Sequence, residues 1–351
     1  MKIAIDSGPL TGGDAVRGIG AYTRELIEGL KILRYKDIKI FDVDFRNADL
    51  SNYDLLHFPY FHSYFLTLPL SKKTKWIVTI HDLIPLIYPE HYPSGIRGKI
   101  KSLIQRQSLG KAEGIIAVSQ TTKKDIVRFL GIPEGKIEVI YEAPREVFKR
   151  LEVRDQKLVG IRKKYNLPPH FVLYVGDVNY NKNILSLADA CKIAKVPLVI
   201  VGRQAATTDV DFTHVENQPF AHFLEKYGED PSIVRLGYIN NGDLVAIYNL
   251  ASLYCQPSFY EGFGLPVLEA FACGTPVVAA RTQALVEIAQ GAALFADPLN
   301  PKDIAEKIDT LFKNSELRAQ LMRKGAKRVK DFSWQRAAKE TINCYKKVLE
   351  G

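Results

Sequence analysis

Twelve short apolar runs, each four to six residues long, alternate with longer stretches of helical periodicity along this 351-residue chain. In the first half the runs are Lys2 to Asp6, Ile38 to Val43, Tyr53 to His57, Lys75 to Ile80, Gly114 to Val118 and Ile137 to Tyr141. In the second they are Phe171 to Gly176, Pro197 to Val201, Ile233 to Leu236, Ser252 to Gln256, Pro276 to Ala279 and Ala292 to Phe295. Strands buried on both faces read as unbroken apolar runs, and such strands belong to parallel sheets with helices on either side. Between them lie helical patterns such as Ala21 to Leu33 and Thr121 to Leu130, and a helical tail from Trp334 to Leu349. The alternation predicts an α/β chain with doubly wound sheets.

A length of 351 residues suits two cores better than one, and 46% hydrophobic with 25% charged residues is ordinary for globular domains. The break between the two is read at Asn166-Leu167-Pro168-Pro169-His170, where a double proline follows a charged stretch. This gives an N-terminal Rossmann-like domain over 1–167, a C-terminal one over 168–330, and a helix over 331–351 packing back on the first. No apolar run reaches the length needed to span a bilayer, and Met1 to Asp6 reads as a strand, not a signal peptide. A cytoplasmic protein is therefore expected. The four cysteines, Cys191, Cys255, Cys273 and Cys344, form no paired motif and are expected as buried thiols.

The net charge is +9, most of it within residues 1–150. Such an excess suits an anionic substrate or an anionic membrane surface; no nucleic-acid module is present. Residues 96–111 place Ile96, Ile100, Leu103 and Ile104 on one helical face, with Arg97, Lys101, Arg106 and Lys111 off it. Two readings stay open: a helix packed by its apolar face, or one resting on the cytoplasmic side of a membrane.

Ligands of open α/β sheets bind at the carboxyl ends of the strands, so two tandem sheets predict a central cleft lined by those ends. The richest loop there is Pro257-Ser258-Phe259-Tyr260-Glu261-Gly262-Phe263-Gly264-Leu265-Pro266-Val267-Leu268-Glu269, running on through Ala270-Phe271-Ala272-Cys273-Gly274-Thr275-Pro276. It reads as strand end, glycine loop, short helix and next strand. Pro266 fits the first helical turn and Gly274 the C-terminal cap. Gly262 and Gly264 let backbone approach a ligand, and the amides at the helix start make an anion site. Two acids beside a phosphate site are unfavourable unless they accept hydroxyls, as Glu261 and Glu269 would from a sugar and a ribose. The loop thus points to a nucleotide sugar.

The Glu261-x7-Glu269 spacing within PSFYEGFGLPVLEAFACGTPVV closely resembles the retaining glycosyltransferases of family 4, which have the GT-B fold of two Rossmann-like domains. The resemblance implies Glu261 beside the donor sugar, Glu269 on the ribose hydroxyls, and the backbone from Phe263 to Val267, Leu265 and Pro266 included, against sugar and diphosphate. The turn Gly176-Asp177-Val178-Asn179-Tyr180-Asn181-Lys182-Asn183 matches one in which a lysine, here Lys182, contacts the diphosphate. Relatives often carry an arginine where this chain has Asp177 or Asn181; Arg203 is a candidate for the missing charge. Gly18 and Gly20 match a glycine turn before the first helix, with Arg17 beside them. His81, in Ile80-His81-Asp82, suggests a general base by its neighbour, whereas the resemblance implies that it binds the donor sugar. Tyr238 lies where relatives seat the nucleobase.

HDLIPLIYPEHYP looks most like the mannosyltransferase branch. The expected activity is transfer of a hexose, mannose favoured, from GDP-mannose or a UDP-hexose to a glycan or lipid-linked acceptor in polysaccharide biosynthesis. No cofactor and no metal are assigned. Two alternatives share the architecture: a nucleotide-sugar 2-epimerase and a non-catalytic sugar-binding scaffold.

Overall fold

The computed structural model describes residues 1–11, 18–71, 73–152, 155–207 and 210–350. They form two compact units, one of Met1–Ala143 with Phe332–Gly351, the other of Pro144–Asp331. All twelve predicted strands are present, with ends moved by at most two residues.

In the first unit β1 (Lys2–Asp6), β2 (Lys39–Val43), β3 (Leu55–Phe58), β4 (Lys75–Ile80), β5 (Gly114–Ala117) and β6 (Ile137–Val139) form one sheet. Its order is β2-β1-β3-β4-β5-β6, with every pair parallel. The central strands carry its core; Ile3, Ile5, Leu55, Ile77, Val78 and Ile115 are fully buried. β2 departs from the expected pattern: it is the edge strand and lies largely exposed. The 17-residue helix Trp334–Glu350 packs along helix Gly18–Ile32, and Gly29 makes that approach possible. A Cβ there would lie 3.2 Å from the Trp334 carbonyl oxygen. The helix also completes a buried polar chain: Tyr345 OH to His57 Nδ1 at 2.7 Å, His57 Nε2 to Thr79 Oγ1 at 2.9 Å, and Thr79 Oγ1 to Tyr22 OH at 3.0 Å.

Helix Gly95–Leu109 is turned the opposite way from its apolar pattern. Gly98, Gln105, Ser108 and Leu109 are buried, while Ile96, Ile100 and Leu103 are exposed. Hydrogen bonding explains the choice. Gln105 donates to Thr67 Oγ1 at 2.7 Å and accepts from Leu68 N at 3.2 Å, and Ser108 Oγ donates to the Pro69 carbonyl at 2.8 Å. The segment beside the helix offers backbone groups that need partners, and these side chains supply them.

In the second unit β7 (Val172–Val175), β8 (Leu198–Val201), β9 (Ile233–Leu236), β10 (Leu253–Gln256), β11 (Val277–Ala280) and β12 (Leu294–Ala296) form a parallel sheet of order β12-β11-β10-β7-β8-β9. The unit begins at Pro144, not at the double proline. Helix Gln156–Lys164 packs on helix Asn241–Leu250, with Lys164 Nζ and Tyr165 OH bonded to Asp243 at 2.7 and 2.8 Å. The prolines mark only the lead into β7. All four cysteines are free and buried, as the sequence predicts.

The ends of β7 and β8 come so close that a Cβ on Gly202 would lie 2.1 Å from the Gly176 carbonyl oxygen, a backbone atom that cannot swing aside. Gly202→Ala is therefore expected to lower stability by about 1–3 kcal/mol. Gly160→Ala, in open space on helix Gln156–Lys164, should raise it by up to about 1 kcal/mol. Urea unfolding midpoints check both.

Candidate active site

The second sheet reverses direction between β7 and β10: from β7 the chain winds outward through β8 and β9, then returns to β10 on β7's other side. Loops at such a reversal splay apart and leave a crevice at the strand ends. The two loops that flank it are Gly176–Asn183 and Pro257–Gly264; together with helix Leu265–Ala272, which follows the second, they contain most of the predicted site residues.

An ion pair joins them. Lys182 Nζ lies 2.9 and 2.8 Å from the two carboxylate oxygens of Glu261. Glu261 Oε1 also accepts from Gln256 Nε2 at 2.7 Å and Ser258 Oγ at 2.6 Å. The Gln256 carboxamide is oriented in turn by Tyr254 OH, which donates to its oxygen. The backbone carries a second clip: Phe259 N donates to the Asn181 carbonyl at 2.8 Å, and Asn181 Nδ2 to the Tyr260 carbonyl at 3.1 Å. Asn181 is thus a buried structural residue where relatives often have a charge, while Arg203 is exposed on the β8 loop. Gln256, Ser258 and Tyr254 escaped the sequence reading. The signal was there in Gln256, a polar residue closing the apolar run Leu253-Tyr254-Cys255.

Helix Leu265–Ala272 begins after Gly264, whose φ of +112° favours glycine; a Cβ there would also lie 2.8 Å from Leu285 Cδ2. No side chain caps it. Pro266 has no N–H, and that of Val267 is bonded to the Gly264 carbonyl at 3.0 Å, so the Leu265 amide is the one the first turn can offer. Gly262 and Phe263 are buried, as is the Val267 side chain. At the other end Gly274 N bonds the Phe271 carbonyl and Thr275 N that of Ala270, the paired closure a left-handed glycine allows.

Glu269 faces inward from this helix. Tyr248 OH donates to its Oε2 at 3.1 Å, and Arg145 Nη2 stands 3.6 Å from Oε1. Burial pushes the carboxyl up to about 7, against the charge of Arg145 and the Tyr248 hydrogen bond. Neither partner was singled out from the sequence. Gly176 takes a φ of +152°, and a Cβ there would meet Tyr174 OH at 2.9 Å. Tyr238, after β9, is 60% exposed and can offer its ring to a ligand.

In the first unit the structure revises the expected partner of His81. Its Nδ1 bonds Glu142 Oε1 at 2.8 Å, not Asp82, and its Nε2 donates to the Pro59 carbonyl at 3.0 Å. Asp82 instead accepts from Ile84 N at 3.1 Å. Burial alone would lower the His81 pKa; the hydrogen bond and charge of Glu142 overcome it and hold the ring above its ordinary value. Both ring nitrogens face oxygen partners, so neither is free to take a proton as a general base. Gly18 and Gly20 lie within the first turn of helix Gly18–Ile32 rather than in a turn before it. Arg17 lies outside the described residues. Two Asp-x-Asp triplets occur: Asp42 and Asp44 are paired with Lys31 and Arg46, and Asp209 of the other lies outside the described residues.

Comparison with known proteins places this geometry. The Glycosyl transferases group 1 profile matches residues 160–328, and the Glycosyltransferase Family 4 profile residues 40–143. The O-antigen chain mannosyltransferase B of Escherichia coli is 31% identical over 278 residues, 77% of this chain and 70% of that protein. The chain belongs to the family 4 glycosyltransferases. The serotype-specific mannosyltransferase WbdA of Escherichia coli is 26% identical over 82% of the chain, which spans only 35% of WbdA. Among solved structures, the sucrose-phosphate synthase of Thermosynechococcus elongatus superposes with a TM-score of 0.75 at 20% identity, covering 100% of this chain and 99% of that one. The glycosyltransferase therefore has the GT-B fold.

Two titrations probe this description. Arg145→Met should move the Glu269 carboxyl above about 7, since the nearby cation is what restrains it; carbon-detected NMR of the glutamate carboxyls reads the shift. Burial and the nearby His81 lower His57 to about 3 in the folded chain. The unfolded chain takes up that proton first, so stability is lost as pH falls from about 6.5 toward 3. Urea midpoints at about pH 7.5 and 5 should separate more for the native protein than for His57→Asn.

Proposed function

We propose that this glycosyltransferase moves a hexose, mannose favoured, from a nucleotide diphospho-sugar to a glycan or lipid-linked acceptor with retention of anomeric configuration. GDP-mannose is the leading donor, ahead of UDP-linked hexoses. The names of the two Escherichia coli mannosyltransferases support the sugar. The observation that carries the reading is the Lys182–Glu261 pair at the reversal of the second sheet, beside the mouth of helix Leu265–Ala272.

The donor's diphosphate sits at that mouth, taking the Leu265 amide and drawing on the Lys182 ammonium. Glu261, held by Gln256 and Ser258, keeps its place when Lys182 turns to the phosphate and accepts a sugar hydroxyl. Glu269 accepts the ribose hydroxyls, and Tyr238 stacks on the base. The bond from the anomeric carbon to the diphosphate oxygen breaks through an oxocarbenium-like state. Its electron pair leaves on the diphosphate, where Lys182 and the helix dipole stabilise the growing charge. The acceptor hydroxyl then bonds the anomeric carbon on the face just vacated and passes its proton to the departing diphosphate oxygen.

Nucleoside diphosphate release is followed with GDP-mannose and UDP-glucose, with and without lipid-linked glycan acceptors. Release that depends on the acceptor, with an α-linked product from an α-linked donor, is the expected result. An epimerised free nucleotide sugar without acceptor would put the epimerase reading in its place. Lys182→Ala should cut turnover by roughly 10²–10³-fold while the circular dichroism spectrum is retained. An unchanged rate removes Lys182 from the mechanism.

A further inference from the structure

Six of the 18 large apolar side chains exposed among the described residues fall within two short segments of the first unit. Helix Gly95–Leu109 contributes Ile96, Ile100 and Leu103, which are 80, 53 and 70% exposed. The segment before β4 contributes Phe65, Leu66 and Leu70, which are 58, 46 and 58% exposed. The two are held together by their polar sides. Gln105 binds Thr67 and Leu68, Ser108 binds Pro69, Lys111 Nζ donates to the Leu70 carbonyl at 3.1 Å, and Lys101 Nζ stands 5.6 Å over the Phe65 ring.

This arrangement runs against the usual economy of a surface helix, which hides its apolar stripe and shows its polar one. Here polar residues anchor the helix, and the stripe at spacing i, i+4, i+7 is turned outward. Exposed apolar side chains concentrated in this way mark an interaction surface. The charge around them selects the occupant. Residues 91–112 hold five lysines and arginines and no acidic residue, and residues 61–74 hold two lysines and no acidic residue. A second copy docked face to face would set these cations against themselves. An anionic bilayer complements them and accepts the apolar side chains below its headgroups.

We propose that the outward face of helix Gly95–Leu109, with Phe65, Leu66 and Leu70 beside it, seats the protein on an anionic lipid surface. The side chains of Ile96, Ile100 and Leu103 enter the headgroup boundary, and Arg97, Lys99 and Lys101 meet lipid phosphates. Attachment through the apolar face of such a helix lies in the plane of the surface and is reversible. The proposal does not rest on the donor, the acceptor or the chemistry.

The test is co-sedimentation of the whole protein with phosphatidylcholine vesicles, with and without about a third phosphatidylglycerol. Binding is expected only to the anionic vesicles and should weaken as salt rises. Ile100→Asp with Leu103→Asp should lower vesicle affinity at least about tenfold, and so should Lys99→Glu with Lys101→Glu. Neither pair touches the residues assigned to the reaction, so turnover on a soluble acceptor should stay at the native level. A tryptophan at Leu103→Trp should shift its emission to the blue on binding. Equal binding by native protein and the aspartate variant, no binding to either vesicle, or an unshifted emission overturns the proposal. So does a dimer seen by analytical ultracentrifugation that the aspartate variant abolishes, because the face would then belong to a second copy.

Discussion

One buried carboxylate organises the second unit's site. Glu261 accepts four hydrogen bonds, two from Lys182 and one each from Gln256 and Ser258. A charge withdrawn from water this far is tolerable only when it is paired and fully bonded. The pairing also decides geometry: Lys182 belongs to the loop after β7 and Glu261 to the loop after β10, so the bridge spans the place where the sheet reverses. Without a ligand the ammonium is neutralised by its neighbour. Under the proposed function an incoming diphosphate would compete for that ammonium, while Gln256 and Ser258 would keep the carboxylate from following it.

Glu269 is handled differently. It has one hydroxyl donor and a guanidinium at 3.6 Å, and burial outweighs both, leaving it poised near neutrality. Two acids eight residues apart thus sit in unlike environments, one bonded directly by three side chains and the other with its carboxyl pushed up by burial to about 7. The same motif in sequence gives no hint of that contrast, because the partners come from Tyr248 and Arg145, distant in the chain.

What could be read from the sequence follows the range of the interactions. The strands were legible because burial on both faces writes itself as an unbroken apolar run; β2 fits least well, being an edge strand half in water. The short helix after Gly264 was legible from Pro266 and Gly274, whose backbone demands are local. Helix Gly95–Leu109 was not, since its orientation is set by Gln105 and Ser108 reaching backbone groups nearly 40 residues earlier. The same holds for His81, whose neighbour Asp82 turns to its own loop while Glu142, 61 residues on, takes the imidazole. The boundary between the units was misplaced for a related reason: two prolines stand out in a sequence, whereas the packing of helix Gln156–Lys164 on helix Asn241–Leu250 does not.

The hydrogen bond between His57 and Tyr345 joins residues 288 positions apart, and the whole of Pro144–Asp331 lies in between. During synthesis the ribosome therefore releases the second unit's strands before it has made the helix that closes the first unit's polar core. The second unit, continuous in the chain, can reach its final form while growth continues. The first must wait with His57 Nδ1 lacking its Tyr345 partner until the last turns of Trp334–Glu350 arrive.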